Sequence, residues 1–526
     1  EATPDEFLHA ILKAECELLW FGGIGTYVKA SHETHGDAGD RANDGLRVNG
    51  RELKAKVIGE GANLGLTQAG RIEFALAGGH INTDAIDNSA GVDSSDHEVN
   101  IKILCSEAMR RGALPRGERN HLLASMTDDV AAHVLEHNYS QTGALTLAES
   151  TAARDHEANE RLMCYLEGRG VLDRRVEGLP STSEMNERAE AKQWLTRPEL
   201  AVLMAWSKIT LFDDVVDSDV PDDPFFLQTL AKYFPDELHK YEDAMQAHRL
   251  KREIIATVLA NRLVDAGGPL MLMRIRERTN TENAEICRAF EAARQLLSYA
   301  HYRSSIHALD NKVAASAQTL LQQLGADAIQ EVSTSLLRRA EALPIREAIE
   351  RYQPAFELLD QKLADAVSGY EAALLRRRAA TLSSSGIGDD LAARGALMPL
   401  LPMGIDLVTI AERSKAGHAT ALTGYLRLGE SLRLDRLRAE AGRHVDDASY
   451  WERLATRRLI EDLRRHQADA TAQILSAGEI DAWLSQSEAP RKRLLQQLSV
   501  LSSAKANFAQ FTLAADAVRG FMADTL

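Results

Sequence analysis

The placement of glycine constrains this chain more than any other feature. Of its 34 glycines, 14 fall within the first hundred residues, and several close short apolar runs. CELLWFGGIGTYV reads as a strand over Leu18 to Phe21 that leads into a glycine turn. KAKVIGEGAN reads as a second strand and turn, and HINTDAIDNSAGV as a third. Glycine lets a backbone turn tightly or come close to another group. In an open parallel sheet, ligands bind outside the carboxyl ends of the strands. Gly22-Gly23-Ile24-Gly25, Gly59 to Asn63, and Asn88 to Gly91 would then line one crevice wall.

The elements between these turns are less determined. TQAGRIEFALAGG reads as a helix, capped by Thr67 and stopped by Gly78-Gly79, although the Ile72, Phe74, Leu76 alternation would also allow a strand. The polar, glycine-rich stretch from Ala30 to Gly50 reads as a long loop. From Ser95 onward helix signals dominate. SDHE (95 to 98) forms a capping-box pattern with Ser95 as N-cap, opening a helix that stops near Gly112. A long polar helix is expected from about Gly117 to His137. TRPE (196 to 199) opens the apolar helix LAVLMAWSKITLF, and HRLKREIIATVLANRLVDA should stop at Gly267-Gly268. The segments 168–184 and 381–388 read as linkers. No fixed-period repeat is present. The expected fold class is α/β at the start followed by a large all-α region, with domains over 1–180, 181–380 and 381–526. Length alone suggests about three domains.

Composition narrows the partners. The net charge of -16 argues against nucleic acid or a membrane surface, because anionic phosphates would be repelled. The most apolar region, GALMPLLPMGIDLVTIA, is broken by Pro399, Pro402 and Asp406, so no segment is expected to span a bilayer. The 4 cysteines, Cys16, Cys105, Cys164 and Cys287, form no CxxC pair, which points to a reducing cytoplasm. His32 and His35, with Asp37 and Asp40 nearby, have the spacing of a metal pair, but a polar loop is the better account of them, and no metal is expected. Trp20, Trp194 and Trp206 sit in apolar runs and read as core. The Arg-rich helices of the last 120 residues read as solvated or interface faces.

Asn63 and Asn88 can each donate and accept hydrogen bonds, as an amide- or sugar-bearing ligand requires. Ser95, at an expected helix N-terminus, would favour a carboxylate or phosphate. Each also has a plainer reading, as a turn residue or a cap.

VIGEGANLGLT followed by NTDAIDNSAGVDSSDHE resembles the glutamate dehydrogenases. Their nucleotide domain carries a Glu-Gly-Ala-Asn turn and then an Asn-Ala-Gly-Gly-Val-x-x-Ser-x-x-Glu segment; here Ala90 replaces one glycine. LLWFGGIGTYV, GDRAND, LTRPELAVLMAWSKI and HRLKREIIATVLAN are similar to the long-chain, NAD-specific bacterial branch. The resemblance implies that the first region is the second half of a Rossmann-like nucleotide-binding domain. It implies NAD held by Gly22, Gly23, Gly61, Asn63 and Asn88, and glutamate held by Gly91 and Ser95. The reaction implied is oxidative deamination of L-glutamate to 2-oxoglutarate and ammonia, in a cytoplasmic homo-oligomer. The family's catalytic lysine and aspartate have no counterpart in the chain. Because it also opens EATPDEFLHA without a methionine, they are expected upstream of Glu1, and residues 1–526 alone are expected to be inactive. The alternative is a catalytically inert helical assembly or regulatory module.

Overall fold

The computed structural model describes residues 3–23, 25–339, 343–444, 448–501 and 506–526. The chain divides into two compact units, Glu1–Arg274 and Ile275–Leu526. The first begins with α1 (Pro4–Leu12), followed by β1 (Leu18–Phe21), β2 (Val28–Lys29), α2 (His35–Ala38), β3 (Val48–Asn49) and β4 (Val57–Glu60). Then come α3 (Gln68–Leu76), β5 (His80–Ile81), α4 (Asp84–Asp87) and α5 (Ser89–Arg110).

β1, β4 and β5 form a parallel sheet in the order β1-β4-β5, with Trp20 opposite Gly59, Phe21 opposite Glu60 and Ile58 opposite Ile81. Parallel neighbours need a crossover, and α3 supplies it between β4 and β5. α3 is a helix rather than the alternative strand: the Thr67 hydroxyl accepts the Gly70 N–H at 3.0 Å, and Gly78 ends the turn at φ +96°. Phe21, Val28, Ile58, Leu66, Phe74 and Ile81 form the core under the sheet. The stretch read as one long loop, 30–50, is more structured than that. It contains α2 and β3, and β3 pairs in parallel with β2.

The helices that follow are α6 (Arg119–Ser125), α7 (Thr127–Ser150), α8 (His156–Gly168), α9 (Thr182–Glu190), α10 (Arg197–Val216), α11 (Leu227–Tyr233), α12 (Glu242–Gln246) and α13 (Lys251–Gly267). The single helix expected over 117–137 is thus two, broken at the buried Met126. α10 begins as the TRPE pattern predicts, with the Thr196 hydroxyl donating to Glu199 at 2.6 Å. α13 stops at Gly268, whose φ is +77°. Segment 168–184 joins α8 to α9 but does not hang free: Arg174 is buried against Glu160 at 2.9 Å and Glu167 at 3.0 Å.

The second unit is helical throughout its described residues. After α14 (Met271–Thr279), which crosses the division, come α15 (Asn283–Leu296), α16 (Tyr299–His307), α17 (Ala315–Arg339), α18 (Ile345–Ala366), α19 (Gly369–Ser384), α20 (Asp389–Leu397) and α21 (Met403–Ser414). They continue as α22 (His418–Ser431), α23 (Leu434–His444), α24 (Tyr450–Ala477), α25 (Ile480–Gln486), α26 (Glu488–Leu501) and α27 (Phe508–Thr525). Half of the expected linker 381–388 belongs to α19, and Ile387 is buried. No single helix among the described residues is long and apolar enough to cross a membrane. The most apolar region folds as α20 and α21 with a 57° bend between them, and Ile405 and Leu407 of α21 are fully buried. The four cysteines are free thiols.

Candidate functional site

Because β1, β4 and β5 are parallel, the segments that leave their carboxyl ends emerge on one side of the sheet. Gly22 and Gly23 follow β1 and are exposed; Ile24 of the same turn lies outside the described residues. Gly61, Ala62 and Asn63 follow β4. The glycines here accommodate a neighbour within the chain. Trp20 lies across them, so that a Cβ on Gly59 would stand 2.6 Å from the indole and one on Gly61 2.4 Å. Trp20 was expected in the core and is instead 58% exposed. β1 is an edge strand, and no further strand among the described residues covers the face that carries Leu18 and Trp20. Trp194 and Trp206 are half-buried.

Two expectations fail at the third turn. Asn88 to Gly91 do not end a strand: β5 is over at Ile81, and α4 intervenes. Ser95 is not an N-cap, because α5 begins at Ser89 and Ser95 is exposed within it. An anion at Ser95 would therefore meet a hydroxyl and not a helix N-terminus.

The structure nevertheless brings the predicted asparagines together. Asn88 Nδ2 donates to Asn63 Oδ1 at 2.8 Å. Asn88, Gly91 and Ser95 stand at i, i+3 and i+7, which places them along one stripe of α5. Seven residues rise about 10 Å along a helix axis, so a ligand reaching from the asparagine pair to Ser95 must be at least that long. Gly91 keeps this corner open, since a Cβ there would lie 2.9 Å from Asn88 Oδ1.

A buried ionic network fixes the corner. Glu60, the last residue of β4, is fully buried. Arg71 of α3 holds it with Nε to Oε2 at 2.7 Å and a second guanidinium nitrogen to Oε1 at 3.0 Å. Arg71 also reaches Asp84 Oδ1 at 3.2 Å, and Asp84 Oδ2 accepts the Leu64 N–H at 2.8 Å. That bond holds Leu64 at φ +61°, a left-handed conformation that a leucine rarely adopts unless constrained. Asp87 accepts the Glu60 N–H at 2.9 Å and Asn82 Nδ2 at 2.6 Å. From α7, Asn138 Nδ2 donates to Ile86 O and to Ser89 Oγ, both at 2.8 Å. Burial pushes the Glu60 carboxyl above its ordinary range, against the pull of Arg71. Sequence reasoning missed Glu60, Arg71, Asp84, Asp87 and Asn138. The one local signal was a glutamate closing a short apolar run.

Four of the lysines up to Lys102 have partners within the chain. Lys29 is buried and donates to Asn49 at 2.7 Å and to the Ala30 carbonyl at 3.1 Å. Lys13 pairs with Glu52 at 2.7 Å, Lys56 with Glu17 at 2.8 Å, and Lys102 with Glu98. His32 and His35 do not converge on a metal geometry: His35 Nδ1 lies 2.9 Å from Arg47 and 3.8 Å from Asp44.

Comparison with known proteins agrees with the motifs. The family model described as bacterial NAD-glutamate dehydrogenase, catalytic domain, matches residues 1–148. The model for glutamate dehydrogenase, C-terminal, matches residues 192–520. The chain is 37% identical over 524 residues to the NAD-specific glutamate dehydrogenase of Halomonas elongata, covering 97% of this chain and 32% of that protein. It is 42% identical over 487 residues to the Pseudomonas aeruginosa protein of the same name, covering 90% of this chain and 29% of the relative. Identity to the Mycobacterium tuberculosis protein, also named NAD-specific glutamate dehydrogenase, is 39% over 396 residues, covering 75% and 24%. The chain thus spans less than a third of the length of the curated relatives it matches.

Proposed function

The chain belongs to the glutamate dehydrogenase family, in its bacterial NAD-linked branch, and from that premise we propose that it supplies part of the cofactor and substrate site of an NAD-dependent enzyme. The reaction is the oxidative deamination of L-glutamate to 2-oxoglutarate and ammonia. The observation that carries this reading is the Asn63–Asn88 bond at the sheet's carboxyl end, with Ser95 further along the same helix stripe. The asparagine pair would hold the nicotinamide end of NAD. The exposed backbone of Gly22 and Gly23, and that of the half-buried Gly61 beside Trp20, would approach the cofactor, and Ser95, beside Gly91, would hold a carboxylate of glutamate through its hydroxyl.

The sheet would be the second half of a Rossmann-like domain. The open edge of β1 supports a continuation of the sheet by further strands, and the face carrying Leu18 and Trp20, 56% and 58% exposed, supports a layer packed over it. The reacting carbon must be positioned against the nicotinamide ring. The lysine and aspartate expected for the proton chemistry would come from another part of the whole protein, because the family resemblance finds no counterpart for them among these residues. The four free thiols suit a reducing cytoplasm. A homo-oligomer rests on the family resemblance.

Glutamate-dependent NADH formation by the full-length protein tests this directly. Asn63→Ala should lower kcat/KM about tenfold, the loss of one hydrogen bond of roughly 1.4 kcal/mol. Ser95→Ala removes a bond to a charged group and should raise the KM for glutamate about 10–100-fold. A wild-type protein without glutamate-dependent NADH formation would leave the assembly-module reading in its place. Gly91→Ala offers a sharper probe. Its methyl group displaces the Asn88 amide, so NAD should bind about tenfold more weakly while the melting temperature stays near wild type. Unchanged NAD affinity in this variant would separate the asparagine pair from the cofactor.

A further inference from the structure

The opposite face of α5 carries a cluster that the proposed chemistry does not use. Asp93 and His97 stand at i and i+4 on α5, and His137 reaches in from α7. One ligand atom from each lies within 4.8 Å of the other two. His137 Nδ1 is 2.8 Å from Asp93 Oδ2, and His97 Nε2 is 3.7 Å from Asp93 Oδ1. His97 is fully buried, yet neither of its ring nitrogens has a hydrogen-bond partner among the described residues. Its ring stacks on Tyr233 at 4.4 Å between centroids, and the His133 ring, one turn before His137, lies 5.7 Å away.

A histidine that served only as core would be expected to bond at least one nitrogen, since buried polar atoms are rarely left unsatisfied. We propose that Asp93, His97 and His137 bind a zinc-class divalent cation, which clamps α5 to α7. A carboxylate and two imidazoles are the oxygen and nitrogen donors such an ion takes. Tetrahedral bonds of about 2.0–2.1 Å set ligand atoms roughly 3.4 Å apart, so Asp93 and His137, now 2.8 Å apart, would open slightly, and no pair would have to close by more than about 1.4 Å.

Such an ion would fix the rotation of the helix whose other face carries Asn88, Gly91 and Ser95. The binding itself does not depend on the glutamate reading. Next to His137, Asn138 already ties α7 to the start of α5, so the clamp would extend an existing contact.

The test uses untagged full-length protein, stripped with chelator and titrated with Zn²⁺, or with Co²⁺ as a visible reporter. Bound metal is counted after desalting. The wild type should hold one more equivalent of metal per chain than Asp93→Asn, His97→Asn or His137→Gln, and should melt at a higher temperature with zinc than without it. Loss of a ligand should weaken this equivalent at least as much as the 10–100-fold that loss of a supporting partner costs. His137 is half-exposed, so His137→Gln keeps the test open if the His97 variant fails to fold. Equal metal content in wild type and His137→Gln, or no zinc-dependent rise in melting temperature, overturns the proposal.

Discussion

Replacing Arg71 with methionine is expected to destabilise the first unit by about 3–5 kcal/mol, the cost of stranding one partner of a buried ion pair. Glu60 has no exposure to water, and its remaining bond from a neighbour would be the Leu66 N–H at 3.1 Å. The same change frees Asp84, which holds Leu64 in its left-handed conformation, so the Asn63 corner should loosen as the melting temperature falls. The loss should also depend on pH. Burial raises the Glu60 carboxyl above its ordinary value, and Arg71 pulls it back down. A raised acid binds its proton more tightly in the folded state. Its contribution is therefore fully present below the unfolded value of about 4.3 and is lost as pH rises through the folded value. Without Arg71 the folded value climbs further, so the penalty should be smaller near about pH 5 than near about pH 8. Denaturant melts of both proteins at the two pH values measure this. A penalty independent of pH would mean that Glu60 keeps its charge by other means. Glu60→Met together with Arg71→Met should recover much of the loss, because apolar groups of similar volume can replace a buried pair at little cost.

What the sequence made legible here was local. β1 occupies the four residues expected of it, and Thr67, Thr196 with Glu199, and Gly268 mark helix ends where their chemistry predicts. Each is decided by neighbours within a few positions. Ser95 failed for the complementary reason. Ser-x-x-Glu is a local cap pattern, but the N-cap of α5 is Asn88, seven residues earlier, where Asn138 from the distant helix α7 donates to Ser89. Trp20 failed because an apolar run does not reveal whether the sheet face it points to is covered. At the site, Asn63 and Asn88 could be singled out one by one, but not their contact across 25 positions. The Glu60–Arg71–Asp84 network and the Asp93–His97–His137 cluster were invisible for the same reason: they exist only once strands and helices have been placed. The Arg-rich helices near the C-terminus taught the same lesson, since Arg464 of α24 turns inward toward Asp406 instead of facing solvent.

That inward turn sets up the second large effect. Asp406 of α21 is 2% exposed, with Arg339 of α17 at 2.7 Å and Arg464 at 3.4 Å. The Arg464 contact is an ion pair without hydrogen-bond geometry, because Asp406 Oδ2 and Arg464 Nε both lack such a partner. Arg339 is therefore the nearer partner, although Arg464 exerts the larger pull on the acid. Arg339→Met should cost the second unit about 3–5 kcal/mol, and Asp406→Leu alone a similar amount by leaving two arginines without their acid. The double variant should cost far less than the sum, because the desolvation penalty of the pair disappears along with its attraction. The acid's response to pH has a definite sign. Burial raises Asp406 above its ordinary value, against the pull of Arg464 and Arg339, so its contribution is present below the unfolded value of about 3.9 and is lost as pH rises through the folded one. Arg339→Met removes part of that pull, and its penalty should grow between mildly acidic and neutral pH. A double-mutant cycle followed by chemical denaturation measures the coupling. Additive losses would show that Arg339 stabilises α17 by packing alone, and that the charge on Asp406 is answered by Arg464.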